Sequence, residues 1–292
     1  MKIISFFILS LTLTFGLFAQ ETDHRSMEFV FLPDGINFAP LKANISEPRI
    51  GVFKFLDDSK MKVDIGNTID VFGLQIPDDK VRFSAGIDFF AYAFTTGAQG
   101  LRLQIDAIDG FFGGNLSVSK YFDEETIQAR LRILHHSAHF VDGHYNLNSN
   151  SWIDNREPIP FTRDFGELVF AHRIDRSSRA TRYYAGLSYA TLVRPAIVKR
   201  FAYLAGIEVY FYDIIGRIAN QKTNLFCAYN VSFTGMPEYS ASHQVQVGVK
   251  FGEWYKKGPT IYLAYYSGRH MFAEYFDQRL KTIGLGFTVD FF

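Results

Sequence analysis

Chemistry is concentrated in one stretch of this chain, Leu134-His135-His136-Ser137-Ala138-His139-Phe140-Val141-Asp142-Gly143-His144-Tyr145, which holds four of the eight histidines. Residues two apart on a strand share a face and stand roughly 6–7 Å apart. A His-x-Ser pair therefore brings an imidazole toward a hydroxyl without any fold-back. That pairing suits a base and its nucleophile: His135 takes the proton of Ser137, and a carboxylate from the next strand holds the imidazole in the useful tautomer. Glu167, near the outer end of a following strand, stands at a height that fits this third role. Backbone amides between Ala138 and Gly143 are the candidate donors to a developing oxyanion. The matching activity is a lipid esterase on the outside of a barrel. It needs no cofactor, and calcium enters only as an accessory to that esterase chemistry. The plainer reading is that residues 135–139 overhang into water, because strand 126–139 exceeds the roughly 9–11 residues that cross lipid. Histidine also suits zinc, but a strand and a loop hold His135, His139 and His144 poorly together, and no metal site is expected.

A second set of charged residues falls on the opposite strand face. Asp88, Arg102, Asp106, Arg130, Arg132 and Glu208 all lie in alternating segments. They are expected to line a lumen, paired with one another or forming a selectivity ring. The leading functional expectation is accordingly an outer-membrane barrel with a structural, binding or transport role, the lipid esterase being the alternative. Parity puts His135, Ser137 and His139 with Leu131 and Ile133 on the lipid side, and His136 with Arg130 and Arg132 on the lumen side.

The elements that must hold these residues are strands. Val81, Phe83, Ala85, Ile87 and Phe89 alternate with Arg82, Ser84, Gly86 and Asp88, and the same rhythm recurs to Ile283-Gly284-Leu285-Gly286-Phe287-Thr288-Val289-Asp290-Phe291-Phe292. Polar residues return again and again on one face, which suits a hydrogen-bonded lumen with the apolar face in lipid. Twelve strands are predicted, near 61–70, 81–93, 100–108, 113–121, 126–139, 163–174, 181–192, 201–212, 223–233, 243–252, 259–268 and 281–291. Residues 49–56 are a further candidate left outside that count, within an extended lead-in over 20–60. The barrel is assigned to 61–292. If strand 61–70 runs outward, connections 140–162 and 269–280 lie outside the cell, and 175–180 and 254–259 become periplasmic turns.

The whole chain fits export. Lys2 is the only charge before Glu21, Ile3 to Phe18 is nearly all apolar, and Leu17-Phe18-Ala19-Gln20 reads as a cleavage site after Ala19. No later apolar run approaches the roughly 20 residues of a membrane helix, so a spanning chain must be a closed, all-β transmembrane barrel. Phe and Tyr number 31 and 16, which suits strands and aromatic girdles. Zero formal charge steers the chain toward no nucleic acid. The partners expected are outer-membrane lipid and the barrel-assembly machinery, with the protein a monomer. Cys227, the single cysteine, is expected to be a buried small apolar residue.

The His135-x-Ser137 spacing resembles that of outer-membrane phospholipase A and lipid A deacylase, both of which carry such a pair on a barrel strand facing the outer leaflet. Those families follow the serine with Asn, where Ala138 stands. Their third residue comes about a dozen positions on, where Ser149 lies. Over most of the mature chain, the sequence resembles the bacterial domain-of-unknown-function 1207 family. The resemblance rests on Phe38-Ala39-Pro40-Leu41 with Glu47-Pro48-Arg49, on His135-x-Ser137-x-His139 with Asp142 and Tyr145, and on Phe165-Gly166-Glu167. It continues in Ala205-Gly206-Ile207-Glu208, in Tyr265-Tyr266-Ser267-Gly268 before Phe276, and in Gly284-Leu285-Gly286. It implies an exported, barrel-like protein and carries no established activity.

Overall fold

The computed structural model describes residues 27–98, 102–141 and 144–291. The predicted signal peptide, Asp142 and Phe292 lie outside them. Sixteen strands follow in chain order. They are β1 (Glu28–Phe31), β2 (Ile50–Phe55), β3 (Lys60–Ile76), β4 (Val81–Ala98), β5 (Arg102–Tyr121), β6 (Glu125–Phe140), β7 (Tyr145–Asn146) and β8 (Ser151–Trp152), then β9 (Phe161–Asp175), β10 (Arg179–Arg194), β11 (Phe201–Phe211), β12 (Arg217–Ile218), β13 (Gln221–Gly235), β14 (Tyr239–Phe251), β15 (Gly258–Arg269) and β16 (Arg279–Asp290).

Twelve of these form a closed antiparallel barrel: β2, β3, β4, β5, β6, β9, β10, β11, β13, β14, β15 and β16, returning to β2. Closure leaves no edge where the ladder is complete. The strand period separates the two walls. In β6, Ile127, Leu131 and Ile133 are exposed on the outside, while Gln128, Arg130 and Arg132 are buried inside. Along β16, Ile283, Leu285 and Phe287 likewise face out.

The count of twelve matches expectation through two offsetting corrections. Segments 100–108 and 113–121 are a single strand, β5, whose ladder runs without a turn through Asp109↔Tyr92 and Gly110↔Ala91. An Asp-Gly pair ordinarily favours a hairpin turn. Here both residues are paired on both edges, with β4 and with β6, and Asp109 points inward and accepts the backbone N–H of Ala273 at 3.0 Å. Residues 50–55, assigned to the lead-in, are the closing stave β2, paired with β16 through Val52↔Phe287 and with β3 through Val52↔Val63. The barrel thus begins at Ile50.

Merging β5 also reverses the direction of β3. Connections 141–160 and 270–278 do share one end of the barrel, and 176–178 and 252–257 share the other with the chain's C-terminus. β3, however, runs away from the 141–160 end, so segment 61–70 does not run toward it as expected. Where β2 gives out, β1 covers the remaining edge of β3, Phe31 opposite Phe72 and Glu28 opposite Gln75.

The lumen is occupied. The lead-in between β1 and β2 folds inside, with Phe38, Leu41, Ala43 and Glu47 buried. The wall holds it by hydrogen bonds: Arg182 donates to the carbonyls of Ala39 (2.9 Å) and Pro40 (3.0 Å), Gln128 to that of Asn37 (2.8 Å), and the Lys42 N–H to Glu208 (2.6 Å). The opposite end is capped by residues 271–276, all buried. Phe272 packs on Phe94 (4.8 Å between centroids) and Tyr275 on Phe140 (5.3 Å).

Candidate functional site

The outer wall of β5, β6 and β9 presents the His-x-Ser pair in a grid set by register. One row is Phe112, His135, Asp164; the next is Gly110, Ser137, Thr162. Cross-strand partners share a face. His135 and Asp164 meet directly, Nδ1 to Oδ1 at 2.6 Å, and the His135 ring lies 4.8 Å from that of Phe112. An ionised carboxylate only accepts hydrogen bonds, so Nδ1 carries the proton and Nε2 is left as the acceptor. Ser137 follows one strand repeat along the same face. Among the described residues its hydroxyl has no hydrogen-bond partner, so proton transfer requires a rotamer change, as is common before substrate binds. Gly110 stands beside Ser137, and no atom lies within 4 Å of the place a Cβ would occupy there. The serine therefore has an open notch at its flank. A surface groove of about 520 Å³ continues from it past Pro158, Ile159 and Arg194.

Glu167 is not the carboxylate at this site. β9 pairs Arg132 with Glu167 and His135 with Asp164, and three residues' separation turns the two carboxylates to opposite walls. Glu167 is buried in the lumen, where it accepts from Arg132 Nε at 3.0 Å and Nη2 at 2.6 Å. Asp164 carries no motif of its own, and only the β6–β9 register identifies it.

The expected lumen charges Asp88, Asp106, Arg130, Arg132 and Glu208 all face inward and are buried. The backbone of Arg102 pairs with Ala98, and its side chain lies outside the described structure. They do not form a ring. Arg130 forks onto Glu47 of the lead-in (2.6 and 2.9 Å), Arg132 bridges Glu47 and Glu167, and Arg182 pairs with Glu208 at 2.6 Å. Asp106 accepts from Thr96 (2.5 Å) and Gln104 (3.0 Å). The remaining histidines divide between the walls. His139 is exposed outside, whereas His144 is buried 4.0 Å from Asp106 and stacks on Phe140. His135, His139 and His144 thus do not converge. Cys227 is exposed rather than buried, because its position in β13 falls on the outer face between Val209 and Val247.

At the capped end, Arg156 clamps Asp277 (2.7 Å) and the Glu274 carbonyl (2.6 Å), and Glu274 accepts the N–H of Ile159 at 3.1 Å. Burial pushes the Glu274 carboxyl up to about 7, with the Asp109 charge adding to the rise. Burial likewise takes the His270 imidazole down to about 4.

No protein-family model and no curated protein matches the chain. Three solved structures are similar in architecture. The β domain of the Bordetella autotransporter BrkA is 11% identical, with a TM-score of 0.39, covering 82% of this chain and 96% of that one. A bacterial polysaccharide outer membrane secretin is 11% identical, with a TM-score of 0.34, covering 92% and 98%. OmpT of Vibrio cholerae, expressed in the outer membrane, is 10% identical, with a TM-score of 0.34, covering 86% and 99%. The barrel assignment rests on the chain's own strand pairing; these scores carry no argument about activity.

Proposed function

We propose that this protein is an outer-membrane barrel whose lipid-facing wall carries a serine esterase, with Ser137 as nucleophile, His135 as base and Asp164 as orienting carboxylate. The observation that carries the reading is the 2.6 Å contact between His135 and Asp164 on the outer face, one strand repeat from Ser137. Membrane placement is supported by the outer wall, where Phe89, Ile133 and Phe170 are exposed at 70%, 68% and 58% while the polar faces point inward. The filled lumen speaks for an activity on the exterior rather than a conduit. Membership of the domain-of-unknown-function 1207 family is part of the same proposal.

In this reaction the Ser137 hydroxyl proton passes to His135 Nε2 as Oγ bonds to an ester carbonyl carbon. The imidazolium is held by Asp164 and returns the proton to the departing alkoxide. Water then repeats the sequence on the acyl-serine, releasing a fatty acid. The acyl chain has apolar wall to follow, and the Gly110 notch gives the carbonyl room beside Ser137.

The test is a fluorophosphonate probe applied to the detergent-folded barrel, with and without calcium. Labelling should occur in the wild type and vanish in Ser137→Ala. No labelling, or labelling that persists in Ser137→Ala, sinks the esterase reading. The second reading is a passive structural or binding barrel, favoured by the packed lumen, and it then stands.

A further inference from the structure

We propose that the outer half of the lumen is a binding site for a small oxyanion-bearing molecule, a phosphate or a carboxylate, anchored by Arg163. The site is independent of the exterior serine. A cavity of about 110 Å³ lies under the 270–278 connection, room for several waters or a small organic anion. Its lining includes Arg163, Phe165, His136, Ser188, Ser232 and Thr234.

Arg163 differs from three of the other lumen arginines. Arg130, Arg132 and Arg182 each have a carboxylate oxygen at 2.6 Å. Among the described residues, Arg163 has none within ion-pair distance. Its one hydrogen bond runs from Nε to His136 Nδ1 at 3.2 Å, and its guanidinium carbon lies 4.5 Å from the Phe165 ring centre. The planar fork on the far side of Nε is thus unspent, and this is the geometry that suits a carboxylate or phosphate. Arg163 is half-buried at the cavity wall, and an anionic ligand there would supply the counter-charge that its fork lacks.

The rest of the wall fits the same ligand. Ser188, Ser232 and Thr234 bring hydroxyls to the cavity, and among the described residues none of the three has a protein hydrogen-bond partner. Hydroxyls donate to oxyanions and also accept from ligand hydroxyls. His136 fixes the anchor in place. Its Nδ1 accepts from Arg163, so its Nε2 donates, and it does so to Asp109 Oδ2 at 3.1 Å. Asp109 in turn accepts the Ala273 N–H of the capping connection. Among the described residues, two carboxylates that share this part of the lumen are committed elsewhere, Asp109 to His136 and Ala273, and Glu167 to Arg132.

The experiment is isothermal titration of the detergent-folded full barrel, with inorganic phosphate in one arm and acetate in the other. Saturable heat with phosphate assigns the phosphate class, and saturation with acetate alone assigns the carboxylate class. Arg163→Gln should weaken binding by about tenfold or more, Arg163→Lys by less, and Ser137→Ala should leave it unchanged. Absence of saturable heat in both arms overturns the site, as does wild-type affinity in Arg163→Gln. If Arg163→Gln fails to fold, the pair Ser188→Ala with Thr234→Val decides. Weakened binding supports the site, and unchanged affinity overturns it. Because Ser137 takes no part, a failed esterase test leaves this result standing.

Discussion

At the scale of single residues, Asp164 and Glu167 make opposite predictions. Asp164→Asn keeps the shape beside His135 but gives Nδ1 a partner that also donates, so the useful tautomer is lost. Serine labelling should fall by about a hundredfold or more, within the range that triad damage produces. Glu167→Gln should leave labelling intact and lower stability instead, by about 3–5 kcal/mol, since it breaks a buried pair with Arg132. Equal loss of labelling in both variants would restore Glu167 to the site. The distinction was only half legible in the sequence. The clean alternation of β6 places His135, Ser137 and His136 on their observed faces. The mixed faces of β9 conceal whether Asp164 or Glu167 looks outward.

Glu274 belongs to the same scale. Its folded value of about 7 stands above the ordinary 4.5 of a glutamate, so the folded cap favours the protonated form. Its contribution is then greatest below about pH 4.5 and declines as pH rises toward 7, where the open cap ionises more readily than the closed one. Amide protection in 270–278, that is exchange corrected for its intrinsic rise with pH, should fall across that window. Glu274→Gln should abolish that loss of protection and raise protection at neutral pH, a difference of about 1–3 kcal/mol at most. Protection that ignores pH in the wild type would show that the carboxyl stays ionised.

Elements carry the closure of the wall. β2 is the shortest stave, six residues paired on both edges. Val52→Pro removes a ladder donor at its centre and leaves a partner carbonyl unsatisfied, a cost of about 1–3 kcal/mol. The variant should lose the heat-modifiable migration typical of closed barrels. Deleting Phe291 and Phe292 beyond β16 should impair membrane insertion, and normal insertion would show the terminus dispensable. The sequence concealed β2 because six residues give few alternations. It concealed the unity of β5 because Asp109-Gly110 imitates a turn, and only pairing with β4 and β6, both distant from that dipeptide in sequence, shows it extended.

The whole molecule is a filled and capped cylinder. Its wall was readable because each strand announces its own two faces. The filling was not, because Glu47 meets Arg130 across 83 positions and neither residue's neighbours imply the other. Wild-type protein in planar bilayers should give no steady conductance. Glu47→Ala leaves Arg130 and Arg132 to share Glu167 alone and should destabilise the barrel by about 3–5 kcal/mol. A steady open channel in the wild type would show that the filling leaves at equilibrium. The mature chain should also fractionate with the outer membrane; recovery in a detergent-free soluble fraction would overturn the membrane reading.

The filling is tethered at both ends, and the tethers are unequal. In front, β1 grips one edge of β3 over four residues; behind, β2 is stitched into the wall on both sides. Under mechanical load applied to the N-terminus, the front tether is the fuse. Pulling should produce an early, low-force rupture that pays out the 28–49 segment, about 75 Å of contour at full extension. The staves would give way only later, at higher force. The cylinder would then stand cleared of its filling, still closed as a wall and still capped by 271–276, with its interior opened at one end by traction rather than by any change in the wall.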